Sequence, residues 1–218
     1  MKALSLFLAG IILACVILST PATARDIHDK VYHFNERPRT RTLVNSDVRH
    51  GGYGSLIYGV TSINGSVVML RGTRGAWILN LSPEHAIHLG LAGYRTRPEA
   101  DAVSWPHSDI DKPEIRTNYG GFEMEYVNRS YRLLHVGTQL LVGSGNVRYE
   151  NRNIDLEKTR DSYFVVQHGV NLFLNVTNWF RISGGVYYRY AANVDLEGTG
   201  SKELSGFSGI MGLRFGRF

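Results

Sequence analysis

The chain has 218 residues, 24 basic and 19 acidic, a formal net charge of +5 and a single cysteine. The bases are scattered rather than gathered into a stripe, which argues against a nucleic-acid partner. Cys15 falls inside the first apolar run, so the chain after that run has no thiol for a disulfide, a nucleophile or a metal.

Lys2, the apolar run Ala3–Leu18 and Ala22-Thr23-Ala24 have the layout of a secretory signal peptide over residues 1–24. The other reading of Cys15 is a lipobox cysteine after Ile12-Leu13-Ala14. Without the leader, 23 bases face 19 acids in 194 residues, +4. That is one domain's length. Residues 25–50 are polar and without period, and we read them as a periplasmic arm. Its Arg37-Pro38-Arg39-Thr40-Arg41 is a solvated basic cluster, and its His28 and His33 form no metal pattern.

From Gly51 the texture changes to glycine, tyrosine and short alternating runs. Strands are predicted at 52–63, 66–80, 86–97, 115–127, 131–149, 162–176, 180–192 and 205–218. In Phe122-Glu123-Met124-Glu125-Tyr126 the apolar residues share one face and the two glutamates the other. Val170–Val176 and Leu134–Gly143 alternate in the same way, and Ile87, Leu89 and Leu91 oppose His88, Gly90 and Ala92. No later segment approaches the 18 or so apolar residues of a membrane helix. Strands of about ten residues match a tilted crossing of a hydrocarbon layer.

Connections alternate in length. Leu81–His85, Asn128–Ser130 and Thr177–Trp179 are short; Pro98–Glu114, Glu150–Asp161 and Asn193–Leu204 are long and polar; Asn64-Gly65 signals a tight hairpin. Trp77, Tyr126, Tyr131, Trp179, Phe180 and Phe218 gather at one set of strand ends, and Tyr94, Tyr119, Tyr149, Tyr163, Phe164, Tyr190 and Phe207 at the other. Two aromatic bands fit the interfacial girdles of a membrane barrel. The expectation is an all-β chain, an eight-stranded antiparallel up-and-down transmembrane β-barrel over 51–218, in a bacterial outer membrane. A soluble sandwich or lipocalin-like barrel would alternate as well, with the opposite face inward.

Gly51-Gly52-Tyr53-Gly54, Gly72–Trp77, Tyr119–Tyr126 and Leu213-Arg214-Phe215-Gly216-Arg217-Phe218 resemble the uncharacterised eight-stranded outer-membrane barrels, and more loosely the OmpA/OmpX-type barrels. The resemblance implies no catalytic residues and no cofactor. It implies outer-membrane lipid around the barrel, the barrel-assembly machinery as a partner in biogenesis, and outer loops open to an extracellular ligand. One feature departs from that pattern: Leu213 and Phe215 have the opposite parity from Phe218. Either Gly216 sits in a bulge or Phe218 does not face lipid.

With the apolar face toward lipid, the other face lines a narrow lumen where charges must pair. The expected network joins Glu123 and Glu125 to Arg181 and Arg214, with Arg189, Arg74, His135, Gln139, Asn171 and Asn175 adding contacts. Arg71 and Arg74 face inward together only through a bulge. The network reads as a structural polar core closing the lumen; a gated narrow pore is the alternative. A lipid A- or phospholipid-modifying enzyme is a third reading. His168, on the apolar parity, is the candidate base, and it lacks a serine at i±2. His85 and His88 fall on opposite faces, so no metal site is expected. The loops, with Trp105, His107 and Asp109–Asp111 in the longest, suit surface interaction.

Overall fold

The computed structural model describes residues 48–97, 100–101, 114–149, 160–196 and 199–218. The leader with Cys15, most of the arm, Pro98–Glu99, the loop segment 102–113 with Trp105 and His107, and 150–159 lie outside the described residues. Eight long strands follow one another: β1 Arg49–Ile63, β2 Ser66–Asn80, β3 His85–Arg97, β4 Glu114–Asn128, β5 Leu134–Tyr149, β6 Arg160–Asn175, β7 Phe180–Ala192 and β8 Gly206–Arg217. A two-residue strand, Ala100–Asp101, pairs with the start of β4, and one helical turn, α1 Ser201–Leu204, precedes β8.

Every strand pairs antiparallel with its sequence neighbour, and β1 pairs with β8, so the sheet has no free edge among the long strands. The protein is a closed up-and-down barrel. One hydrogen-bonded row runs Gly51, Ile78, His88, Glu125, Gln139, Gly169, Tyr187, Ser208 and returns to β1 at Thr61. The circuit starts at residue 51 of β1 and ends at 61, a stagger of ten residues. For eight strands that stagger gives a tilt of about 40° and a backbone radius of about 8 Å.

The alternation acquires its sign here. The outward positions carry Leu56, Val67, Trp77, Leu91, Phe122, Met124, Val142, Leu172, Val186, Tyr188, Phe207 and Phe215, all exposed. The inward positions carry Arg74, His88, Glu123, Glu125, Gln139, Asn171, Arg189 and Arg214, all buried. This is the reverse of a water-soluble barrel, whose polar face points out.

The two ends differ. The termini end has short turns over 81–84, 129–133 and 176–179, stitched by backbone bonds such as Arg129 N to Glu84 O and Asn175 N to Leu133 O. At the loop end Asn64 and Gly65 both have positive φ, 55° and 77°, the geometry of a two-residue hairpin that follows strand twist. The last connection was expected to be a long polar loop. Leu196, Thr199 and Leu204 of that connection are instead buried in the barrel mouth. α1 holds there because Arg189 Nε donates to Leu204 O at 2.8 Å and Asn64 N to Glu203 O at 2.8 Å.

Candidate functional site

The central Glu–Arg cluster lies between two largely apolar clusters of the interior. Toward the loop end Ile57, Ile63, Leu70, Ile115, Leu141, Val147, Val165, Leu196 and Leu204 cluster with Tyr94, Tyr119, Tyr149, Tyr163 and Tyr187. Toward the termini Tyr53, Ile78, Ala86, Val127 and Phe173 form a second cluster. Many inward positions are aliphatic or tyrosine, because a narrow barrel must fill its interior with volume as well as with hydrogen bonds.

Between them, β4 contributes Glu123 and Glu125, two residues apart and so on one face. Glu125 accepts two bonds from Arg214 of β8, from Nη1 at 2.6 Å and Nη2 at 3.0 Å. β4 and β8 are four strands apart in a ring of eight, so this bidentate pair spans the diameter of the lumen. His88 Nδ1 lies 2.8 Å from the same carboxylate, and Asn171 Nδ2 donates to it at 2.9 Å. Arg214 also donates from Nη1 to the Tyr53 hydroxyl at 2.9 Å and from Nε to Ser183 at 3.2 Å, and lies 4.6 Å from the Phe173 ring centroid.

Glu123 makes the second pair. Arg74 Nε lies 2.8 Å from its carboxylate with the N–H aimed off the oxygen, while Gln139 donates to it at 2.8 Å. Arg74 Nη2 donates to the Tyr94 hydroxyl at 2.9 Å. Arg74 has room because its row on the neighbouring strands is Ala92, Gly121 and Gly143. Tyr187 lies flat over Gly169, where a Cβ would overlap its ring, and donates to Asn171 Oδ1.

Glu123, Glu125, Arg214, Arg74 and Gln139 thus meet in one cluster. Four other expected members do not join it: Arg181, Arg189, His135 and Asn175, whose Nδ2 donates to Ser130 O at 2.9 Å and Arg132 O at 2.7 Å in a termini-end turn. Arg181 turns toward the termini end, where Nη2 donates to Ser130 O at 3.3 Å and the guanidinium sits 3.9 Å over the Phe218 ring. It is the direct cross-strand partner of Arg214, and like charges so placed part along the barrel axis. Arg189 turns to the loop end and binds Leu204 O, Thr61 and Ser62 O. His135 stacks on Phe173 at 5.0 Å and contacts Arg132 O. His88, Tyr53, Ser183 and Tyr94 complete the cluster; the parity of β3 already put His88 inward, but nothing local in the sequence names its partner.

Arg71 and Arg74 need no bulge, for the β1–β2 register is continuous and Arg71 faces out. Phe218 is corrected as a girdle residue. Gly216 pairs with Tyr53 without a bulge, and Phe218 folds inward to stack on Tyr53 at 5.9 Å. Phe215 takes the outward place, stacked on Phe180 at 4.9 Å and 6.2 Å from Trp179. Trp77, Tyr126, Tyr131 and Trp179 are exposed at the termini end. Of the second band, Tyr94, Tyr119, Tyr149 and Tyr163 are buried inside; Phe164, Tyr190 and Phe207 face out, joined by Tyr58 and Tyr188.

His168 is exposed, and is directly opposed by Leu140 and Tyr188. Among the described residues no group of three or more His, Cys, Asp or Glu is placed to hold a metal ion.

No family model matches this sequence, and no curated protein matches it. Among solved structures, Ail, the attachment invasion locus protein of Yersinia pestis, is 13% identical over 77% of this chain and 97% of its own, with a TM-score of 0.48. Neisserial surface protein A (NspA) is 12% identical over 76% of this chain and 96% of its own, with a TM-score of 0.47. The fold assigned here rests on this chain's own closed sheet.

Proposed function

We propose that this chain is a bacterial outer-membrane barrel with a closed lumen and a structural or surface-interaction role, and that it is not an enzyme. The observation that carries the reading is the inverted amphipathicity: an apolar outward band with aromatic residues at both ends encloses a charged layer. Water would penalise that band, whereas hydrocarbon accepts it and requires every backbone group to be paired, as only a closed sheet can do with strands. Residues 1–24 act as the export leader and 25–50 as a periplasmic arm in this reading, with lipid and the barrel-assembly machinery as partners. The outer loops are then the surface offered to an extracellular ligand.

Closure of the lumen is supported by the Glu125–Arg214 pair across its diameter and by the aliphatic–tyrosine layer above it. Planar-bilayer recording of the reconstituted protein tests it: a quiet membrane is expected, and steady unitary conductance would establish the narrow pore instead. The lipid-modifying alternative predicts an altered lipid A mass spectrum in cells that express the protein; unchanged spectra are expected, since His168 has leucine and tyrosine opposite it.

A further inference from the structure

The outward face is not uniformly apolar. On five consecutive strands, β2 to β6, its loop-end rows are rich in arginine. One row reads Tyr58, Arg71, Arg95, Asn118, Asn146 and Ser162 across β1 to β6. The next outward residues toward the loop end are Arg97 on β3, Arg116 on β4, Arg148 on β5 and Arg160 on β6. Arg71 directly opposes Arg95, Arg116 opposes Arg148, and Arg148 opposes Arg160. The corresponding surface of β1, β7 and β8 carries Tyr58, Val60, Tyr188, Tyr190 and Phe207.

Like charges placed directly across a ladder lie about 5 Å apart at Cβ and destabilise the sheet. Among the described residues, Arg71, Arg95, Arg97, Arg148 and Arg160 have no carboxylate within ion-pair distance. Acidic residues flank this face in sequence: Glu99 lies two residues after Arg97, Glu114 two before Arg116, Glu150 two after Arg148, and Asp161 directly after Arg160. Below the arginines the row Thr73, Gly93, Gly120 and Ser144 keeps the surface low and floors a shallow groove of about 810 Å³. Further down the same strands the outward residues are Leu91, Phe122 and Val142. A ligand with an anionic part and an apolar part would match the arginines and the barrel wall below them.

We propose that this face is a binding site for phosphorylated membrane lipid. The phosphates of a glycolipid headgroup in the loop-end leaflet would sit between the opposed arginines, with the acyl chains along β3 to β5. Guanidinium groups suit the task, since each offers a planar fork matched to phosphate oxygens. An intervening phosphate also converts the arginine–arginine repulsion into attraction. The proposal rests on the membrane-barrel reading and adds a ligand class and a place for it.

The test uses the full-length mature barrel folded in neutral-lipid vesicles, titrated with lipid A and, separately, with dephosphorylated lipid A and with inorganic phosphate. Binding is read by native mass spectrometry after detergent extraction and by the shift in thermal unfolding. Lipid A is expected to bind and to raise the unfolding temperature, the other two to do neither. The R71Q/R95Q/R148Q/R160Q variant is expected to bind about tenfold more weakly or worse, while R132Q, which removes one charge at the opposite end, binds normally. Equal binding of dephosphorylated lipid A, or full binding by the quadruple variant, overturns the proposal. Binding of inorganic phosphate at the same arginines would reassign the site to free anions and overturn it also. Insertion into vesicles and gel mobility are recorded on the same samples. A protein that inserts but ignores the phosphate sinks only this proposal, whereas one that fails to insert sinks the membrane reading beneath it.

Discussion

Two buried carboxylates on one strand face set the chemistry of the interior at the scale of single residues. Glu125 is fully buried and Arg214 is 1% exposed, so each holds the other's charge in a place water does not reach. Removing one partner leaves an uncompensated buried charge, which costs about 3–5 kcal/mol. Glu125→Gln is therefore expected to lower the unfolding free energy in lipid vesicles by that amount, measured by urea titration. Glu125→Leu combined with Arg214→Met should recover most of it, since a filled apolar core replaces a broken pair at little cost. A single-variant loss below about 1 kcal/mol would show that the pair is not what closes the lumen. Phe218→Ala removes the ring beneath Arg181 at the termini end, and a smaller loss of about 1 kcal/mol is expected there.

At the scale of elements, each strand is a two-faced ribbon whose period of two assigns residues to lumen or exterior. Val170, Leu172 and Leu174 face out, while Asn171 and Phe173 face in. α1 behaves differently: it is a single turn, held by Arg189 and by the β1–β2 hairpin, and it delivers Leu204 into the mouth. Leu204→Ala is expected to cost about 2–5 kcal/mol, the range for a buried leucine whose cavity the surroundings do not refill. A loss near zero in the same urea titration would mean that the segment is not seated in the barrel. The hairpin itself depends on Gly65, with φ 77°. Gly65→Ala is expected to cost about 1–2 kcal/mol, since a Cβ in the left-handed region clashes with the following carbonyl.

At the largest scale, the eight long strands close into a sheet whose outside is suited to hydrocarbon and whose inside is filled. Such a barrel, stagger ten on eight strands, is expected to stay folded in detergent until heated, so that unboiled and boiled samples differ in gel mobility. A single position, with the protein in the soluble fraction, would reverse the assignment of inside and outside. Trp77 and Trp179 lie outward in the termini-end aromatic band. With Trp105→Phe as background, lipids brominated near the headgroup should quench their fluorescence more strongly than lipids brominated at mid-chain. The opposite order would place these residues away from the interface.

The sequence by itself determined the strands, their count, the tight Asn64–Gly65 hairpin and the sorting of residues into two faces. All of these follow from neighbours along the chain: side chains alternate every residue, and turn residues interrupt the alternation. It did not determine which end of the barrel each charge would seek. Arg181, Arg189 and Arg214 all face the lumen, yet one caps the termini end, one holds α1 and one crosses to Glu125. It grouped Phe218 with the girdle while leaving open whether that ring faces lipid, and it put four lumen tyrosines in a lipid-facing band, because nearness to a strand end does not tell which face a ring takes. The arginine rows were invisible as well: Arg71, Arg95, Arg116, Arg148 and Arg160 are scattered along the chain and become neighbours only through register. Pairing partners on different strands are chosen by closure and stagger, which are properties of the assembled sheet, so the tertiary structure alone decides them.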